Sequence, residues 1–340
     1  MLKTEIEHVI AHNDFSFQEA HQVMIKIMNG EVNQSQIAAL LMALKMKGET
    51  PEEVAGFATA MRDKSIKLNY SDEDMVDVCG TGGDYSGTFN ISTASAFVVA
   101  GAGIRVAKHG NRSISSASGS ADVLKELGIN INLKPETSAK ALQDIGITFL
   151  FAPDYHPAMK YAAPVRKELG LKTVFNILGP LTNPAGTKKQ LIGTFDNRTA
   201  EIMSQAAGLL DMKKVCFICT ANKYDEVLLT DPTEVYEYSQ QTGVKKYSIS
   251  NETFDYPKID YTHIKGKSPE HNATLLNKIL SGEEKGAPHY VTVANAAMGL
   301  YSADYASDIS PCVRAAQESI LSGKALEKLE QFRDFGRQHE

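Results

Sequence analysis

Residues 75–84, MVDVCGTGGD, decide the fold: a short apolar run ends in three glycines within four positions, and the polar segment TFNIST follows at 88–93. A short apolar run stopped by glycine reads as a buried strand, and a segment rich in capping side chains reads as a helix start, here for a helix over about 90–100. The unit is strand, loop, helix. It recurs at once, with an apolar run at 104–107, a polar loop at 108–120, and a helix over 121–127 closed by Gly128. Two such units in succession imply a parallel sheet, because each return needs a crossover over one face. Further strands are expected at 145–151, 189–194, 215–219 and 233–238, with mainly helices after Ser268.

Upstream the pattern changes. In residues 1–67, Ser16 with Glu19 forms a capping-box signature, Thr50-Pro51-Glu52-Glu53 adds proline at a first helical position, and Gly30 and Gly48 close helices. The stretch 37–46 is apolar almost all round, which implies burial on two sides, one of them a candidate subunit interface. The polar run 69–74 breaks the helical pattern and reads as a hinge. The expected class is α/β: a small all-helical domain over 1–67, a hinge at 68–74, and a larger α/β domain with a mainly parallel central sheet flanked by helices.

Composition narrows the function. The 340 residues are 43% hydrophobic and 22% charged, ordinary globular usage that favours neither disorder nor a fibrous architecture, and the length suggests two domains. A net charge of -6 opposes binding to a nucleic-acid backbone, so small molecules or another protein are the expected partners. The amino terminus, MLKTEIEHVIAHNDF, is acidic and amphipathic, and no apolar run approaches ~20 residues, which points to a cytoplasmic location with no membrane partner. Of Cys79, Cys216, Cys219 and Cys312, only the 216/219 pair has metal-like spacing, and it lies inside an apolar strand with no second pair. Reduced, buried thiols are expected.

Ligands of parallel sheets gather at the carboxyl ends of the strands, where both polar loops fall. Gly80, Gly82 and Gly83 leave room for backbone N–H groups to approach an anion, and Asn90-Ile91-Ser92-Thr93 adds hydroxyls and a helix cap. Alone, a glycine cluster is more often a plain turn at a strand end; the polar helix start beside it shifts the balance toward a phosphate site. Tyr85 stands where GxGxxG needs its third glycine, and GxxxxGK[ST] is absent, so dinucleotide and ATPase readings have no support. The second loop brings Lys108, His109, Asn111, Arg112 and Ser113 together, followed by Ser115, Ser116, Ser118 and Ser120. That is a dense set of anion donors for a surface turn. Asp225-Glu226 could hold magnesium or could be a solvated acidic pair, and neither Arg166 nor His156 stands alone as a site.

Together, DVCGTGGD (77–84), TFNIST (88–93), KHGNRSISSASGSADVLKELG (108–128), HPAMKYAAPVRKELG (156–170) and TVFNILGPLTNP (173–184) resemble the anthranilate phosphoribosyltransferase family. The resemblance runs from NGEVNQSQIAALLMALKMKGETPEEVAGF (29–57) to NAAMGLYSADYASD (295–308) and SGKALEKLEQF (322–332), nearly the whole chain. It implies a helical domain completed by a returning segment near 157–183, an α/β domain over 75–156 and 184–340, and a homodimer formed through the helical domain. The donor it implies is phosphoribosyl pyrophosphate, held by Gly80, Gly83, Asp84, Thr88, Asn90, Ile91, Ser92, Thr93, Lys108, His109, Gly110, Asn111, Arg112, Ser113, Ile114, Ser115, Ser116 and Ser120. Magnesium would be held by Ser92, Asp225 and Glu226. Anthranilate would lie against Gly80, Asn111 and Arg166, with His109, His156 and Gly179 nearby, Arg166 being suited to its carboxylate.

The implied reaction is displacement at the anomeric carbon by an aromatic amine, a step for which no residue is assigned as general base. The family commonly has His-Gly and then Gly-Leu before the Asp-Glu pair; here the run is Thr220-Ala221-Asn222-Lys223-Tyr224, so a differently shaped metal loop is expected. Two other readings share this architecture. A pyrimidine nucleoside phosphorylase is disfavoured by KHGNRS and the Arg166 context, and a nucleic-acid-binding relative by the acidic balance and the intact carboxylate pair.

Overall fold

The computed structural model describes residues 1–70, 74–113 and 118–339. Three hinge positions, 71–73, and the donor candidates Ile114, Ser115 and Ser116 lie outside the described residues.

Seven strands form one sheet: β1 (Val76–Gly80), β2 (Val106–Gly110), β3 (Ile147–Phe151), β4 (Lys189–Gly193), β5 (Lys214–Thr220), β6 (Thr233–Ser239) and β7 (Gly243–Ile249). Their order is β3-β2-β1-β4-β5-β6-β7, with β1 to β5 parallel and β6 and β7 antiparallel. The sheet is mainly parallel, as the repeated strand-loop-helix units require. β7 is absent from the sequence reading because most of GVKKYSI is exposed, with no apolar run to reveal it. Lys245 and Lys246 on this edge strand oppose pairing with a second sheet. The chain winds from β1 to one side, then returns to place β4 on the other. That reversal puts the switch point between β1 and β4, where their carboxyl-end loops part.

Period-two alternation assigns the β5 side chains to two cores: Cys216 and Ile218 enter one, Val215 and Phe217 the other. The first core is filled by the helix Ile91–Gly101, buried at nearly every residue, and by Ala287–Ser302 packed on it. The second joins Phe57 and Met61 of the first 67 residues to Val165, Phe175 and Leu181 of the segment 157–183. All four cysteines are free and buried, and burial pushes the Cys216 thiol up to about 12. Among the described residues no helix is long and apolar enough to cross a membrane.

Both capping boxes form, Ser16 with Glu19 and Thr50 with Glu53. Glu53 does more than cap: its buried carboxylate also accepts from Phe15 N at 3.0 Å and Lys47 Nζ at 2.9 Å, tying its helix to the connection before Phe17–Met28 and to the end of Gln34–Lys47. Arg62, whose role the sequence did not suggest, donates to Leu181 O at 2.7 Å and Leu210 O at 3.1 Å. Burial depresses this guanidinium to about 10. In the helix Gln34–Lys47 one face, Ile37, Leu40, Leu41 and Leu44, is buried, while Met46 is 83% exposed. Within one chain, burial is on one side.

Candidate active site

Gly80 and Gly193 are cross-strand partners at the carboxyl ends of β1 and β4, directly at the switch point. Neither carries a Cβ, and the space this leaves is taken by Asp225. A Cβ on Gly193 would stand 1.6 Å from the Asp225 backbone oxygen, and one on Gly80 would stand 2.7 Å from Asp225 Oδ2. Gly82 N donates to Asp225 Oδ2 at 2.9 Å, so the glycine loop and the carboxylate are one unit. Gly82 and Gly83 have positive φ, the conformation that demands glycine in this tight turn. Asp84 accepts from Ser86 N and Oγ through Oδ1, while its Oδ2 is buried with no partner.

Glu226 Oε1 accepts from Ser92 N at 3.2 Å. Lys108 Nζ reaches the same place from β2, donating to Val78 O at 2.6 Å and Ser92 Oγ at 3.3 Å. Burial and the neighbouring Asp84 hold the Asp225 carboxyl well above its usual range, with Glu226 adding repulsion. Burial raises Glu226 to about 8 against the pull of Lys108. Crowded, desolvated carboxylates with an unpartnered oxygen are short of a cation. Among the described residues no three or more His, Cys, Asp or Glu side chains form a closed metal cage. The adjacent carboxylates of Asp225 and Glu226 fit Mg²⁺, which takes one or two protein carboxylates and completes its shell with water and substrate phosphate.

The two polar loops are tied together. The Asn90 amide donates to Ser118 O at 3.0 Å, and its oxygen accepts from Ser118 Oγ at 3.2 Å and Asn272 Nδ2 at 3.1 Å. Asn90 therefore does not cap its helix as expected; no side-chain capping bond is formed, because the amide is committed across to the second loop. In the first turn Ile91 N donates to Phe89 O at 2.7 Å and Ser92 N to Glu226, so both donors are committed within the protein. Ile91 and Thr93 turn their side chains into the interior, away from a ligand. Thr88 bridges to Lys265, and Ser120 Oγ donates to Asn111 O at 3.1 Å. A Cβ on Gly110 would strike Ser120 Oγ at 2.4 Å. Asp122 holds the second loop's ends, accepting from Ser113 N at 3.0 Å and Gly119 N at 2.9 Å. Arg112 is exposed, 5.7 Å from the Phe151 ring centroid.

On the helical side, His109 and His156 pack with ring centroids 5.2 Å apart, and the backbone at Gly179 bonds His109. Both Nε2 atoms are buried without a partner. Burial, reinforced by the adjacent imidazole, depresses His109 to about 3; burial with Lys67 nearby depresses His156 to about 4. Both rings are neutral at neutral pH. An unfolded chain takes up protons near pH 6.5 that the folded chain refuses until about 4 and 3, so stability falls as pH falls through that window. The melting temperature is expected to drop between pH 7 and pH 5, and a His109→Gln, His156→Gln double variant to show a shallower drop. An equal slope in both proteins would refute this account. Arg166 forms no hydrogen bond with these rings; its guanidinium lies 5.4 Å from the Phe175 ring centroid, with its pKa lowered by burial.

Comparison with known proteins bears on this arrangement. A glycosyl transferase family helical bundle domain matches residues 3–65, and the α/β domain of that family matches 72–326. The chain is 45% identical to the anthranilate phosphoribosyltransferase of Desulfosudis oleivorans, with 98% of each covered. It belongs to the anthranilate phosphoribosyltransferases. Among solved structures, the Thermus thermophilus enzyme superposes with a TM-score of 0.92 at 38% identity, covering 98% of this chain and 99% of that one. The Saccharomyces cerevisiae enzyme in complex with PRPP and Mg has a TM-score of 0.89 at 25% identity, with 99% of each covered.

Within this transferase the unusual run before the carboxylate pair is a tight turn closed by mutual bonds of Thr220 and Tyr224, at 2.9 and 3.0 Å. Ala221 and Asn222 both have φ of 53°, where glycine is at ease and alanine is strained. Asn222 tolerates it and accepts from Asn197 N at 2.8 Å; Tyr224 stacks on Tyr261 at 5.3 Å. Sequence reasoning missed Gly193, visible only as a glycine closing a strand, and Asp77, which is fully buried. Asp77 accepts from His109 N at 3.2 Å and Asn183 Nδ2 at 2.8 Å, fixing β2 against residue 183 of the returning segment.

Proposed function

We infer that this transferase moves the 5-phosphoribosyl group of phosphoribosyl pyrophosphate to the amine of anthranilate, giving N-(5-phosphoribosyl)anthranilate and pyrophosphate. The observation that carries the assignment of the site is the convergence of the glycine loop, Lys108 and the Asp225-Glu226 pair at the β1/β4 switch point.

In this reading, the glycine loop at Gly80 and Gly83 and the helix start at residues 90–93 bind the donor's phosphates, and Lys108 neutralises charge there. Ser92, Asp225 and Glu226 hold magnesium, with Asp84 adding to the negative field that attracts it. Bound magnesium supplies Lewis-acid stabilisation of the charge that develops on leaving pyrophosphate. Arg166 pairs with the anthranilate carboxylate, and Asn111 with the neutral His109 and His156 walls the aromatic ring. Neutral imidazoles line an uncharged ring without the cost of a buried charge. The amine becomes acidic as its bond to the anomeric carbon forms, so orientation of the two substrates does most of the work and no general base is assigned.

The donor side comes from 75–156 and 184–340, and the acceptor lies between that part and the returning segment 157–183, which supplies Arg166 and Gly179. A homodimer through the helical part would cover the exposed face of Gln34–Lys47, including Met46. Purified protein with phosphoribosyl pyrophosphate, magnesium and anthranilate should quench anthranilate fluorescence and release pyrophosphate, and should sediment as a dimer. Untouched anthranilate with phosphorolysis of uridine or thymidine would replace this function with that of a pyrimidine nucleoside phosphorylase.

A further inference from the structure

Lys172 is a cation that the site described above leaves without a task. It sits just after the helix Ala163–Leu169, on the returning segment, yet it reaches across to the donor side. Its Nζ lies 3.9 Å from the Phe195 ring centroid and 5.6 Å from that of Tyr85, and a Cβ on Gly83 would meet its Cε at 3.3 Å. Phe195 follows β4 and Tyr85 follows the glycine loop, so the ammonium is aimed at the switch point. Among the described residues it makes no hydrogen bond or ion pair, although it lies in the field of Asp196, Asp84 and Asp225.

A half-buried ammonium normally recovers its lost hydration through carboxylates or carbonyls. Here two aromatic faces hold the cation by its charge and leave its three N–H donors unused. An amine so placed, against a loop whose backbone is shaped for phosphate, is pre-positioned for an anion that arrives with the substrate. We propose that Lys172 binds the pyrophosphate of the donor, so that the acceptor-binding segment itself grips the leaving group. The proposal rests on the transferase reading and adds a residue to it. One consequence is a coupling: the segment that carries Arg166 would be anchored by the donor before anthranilate enters.

The test compares Lys172→Met, which keeps the length of the stem and removes the charge, with Lys172→Arg, which keeps the charge. Calorimetry with magnesium and inorganic pyrophosphate should show affinity for Lys172→Met falling roughly ten- to a hundredfold, the size of one charged hydrogen-bonding contact. Ribose 5-phosphate binding and the KM for anthranilate at saturating donor should stay within about twofold, and Lys172→Arg should recover most of the pyrophosphate affinity. Pyrophosphate affinity unchanged in Lys172→Met would overturn the proposal, as would equal loss for pyrophosphate and ribose 5-phosphate, or equal loss in both variants. The parental protein run alongside separates the two levels: if it turns over anthranilate and Lys172→Met still binds pyrophosphate normally, only the role of Lys172 falls. If the parental protein neither binds nor consumes the donor, the transferase reading falls and takes this role with it.

Discussion

A Gly193→Ala variant is expected to fold and to lose roughly a hundredfold or more in kcat/KM, the scale associated with displacing a catalytic group by about an ångström. One methyl group does this because its position is 1.6 Å from the backbone oxygen of Asp225, 2.5 Å from its carbonyl carbon and 3.1 Å from its Cα. A flexible side chain could swing aside; a backbone cannot, so the whole loop bearing Asp225 and Glu226 must retreat. The Gly82 N–H bond to Asp225 and the Ser92 N–H bond to Glu226 would both be stretched. Steady-state kinetics over a magnesium titration checks this. The expected signature is a raised magnesium requirement together with a lowered kcat, with far-ultraviolet circular dichroism unchanged. Near-parental activity would mean that Asp225 is not confined by the Gly80–Gly193 pair. The same substitution at Gly80 should cost less at the metal loop, because its obstacle is a carboxylate tip at 2.7 Å.

The second large effect is expected at Arg166, and it has two opposed components. Its guanidinium is largely withdrawn from water over Phe175 and pairs with no carboxylate among the described residues. Holding such a cation costs stability in the free protein. Removing it from a complex in which it meets a carboxylate costs roughly 2–5 kcal/mol. Arg166→Ala should therefore raise the KM for anthranilate by about a hundredfold, leave the KM for phosphoribosyl pyrophosphate within about twofold, and leave the melting temperature equal or higher. Loss of stability together with loss of both substrates would make Arg166 a structural residue. Arg166→Lys should recover little, since a single ammonium cannot reproduce a planar two-pronged pairing.

The parts of this site that were legible in the sequence are those whose signal is local. Three glycines after an apolar run, two cations in KHGNRS, and a helix start full of hydroxyls each announce themselves within a few residues. The carboxylate pair was of a different kind. Asp225 and Glu226 were a common acidic dipeptide until the family resemblance placed them, and the structure brings them to Gly82 and Ser92 across 143 and 134 residues of chain. Asn90 illustrates the limit in the other direction. Its position predicted a helix cap, and tertiary bonds to Ser118 and Asn272 took its amide instead. β7 escaped notice for a related reason, since an exposed edge strand has no apolar face to betray it.

By itself, then, the sequence determined the α/β class, the repeated strand-loop-helix units, the helical amino terminus with its two capping boxes, and the family. Backbone hydrogen-bonding preferences and hydrophobic periodicity act over one or two turns, so short windows carry them. Only the tertiary structure decided that Gly193 faces Gly80 to make room for Asp225, that Asp77 secures His109 to the returning segment, and that Lys172 reaches the donor side. Those facts depend on strand order and on which helix lands on which face. Side chains far apart in the chain meet there only after the core has packed, and no local pattern records the meeting.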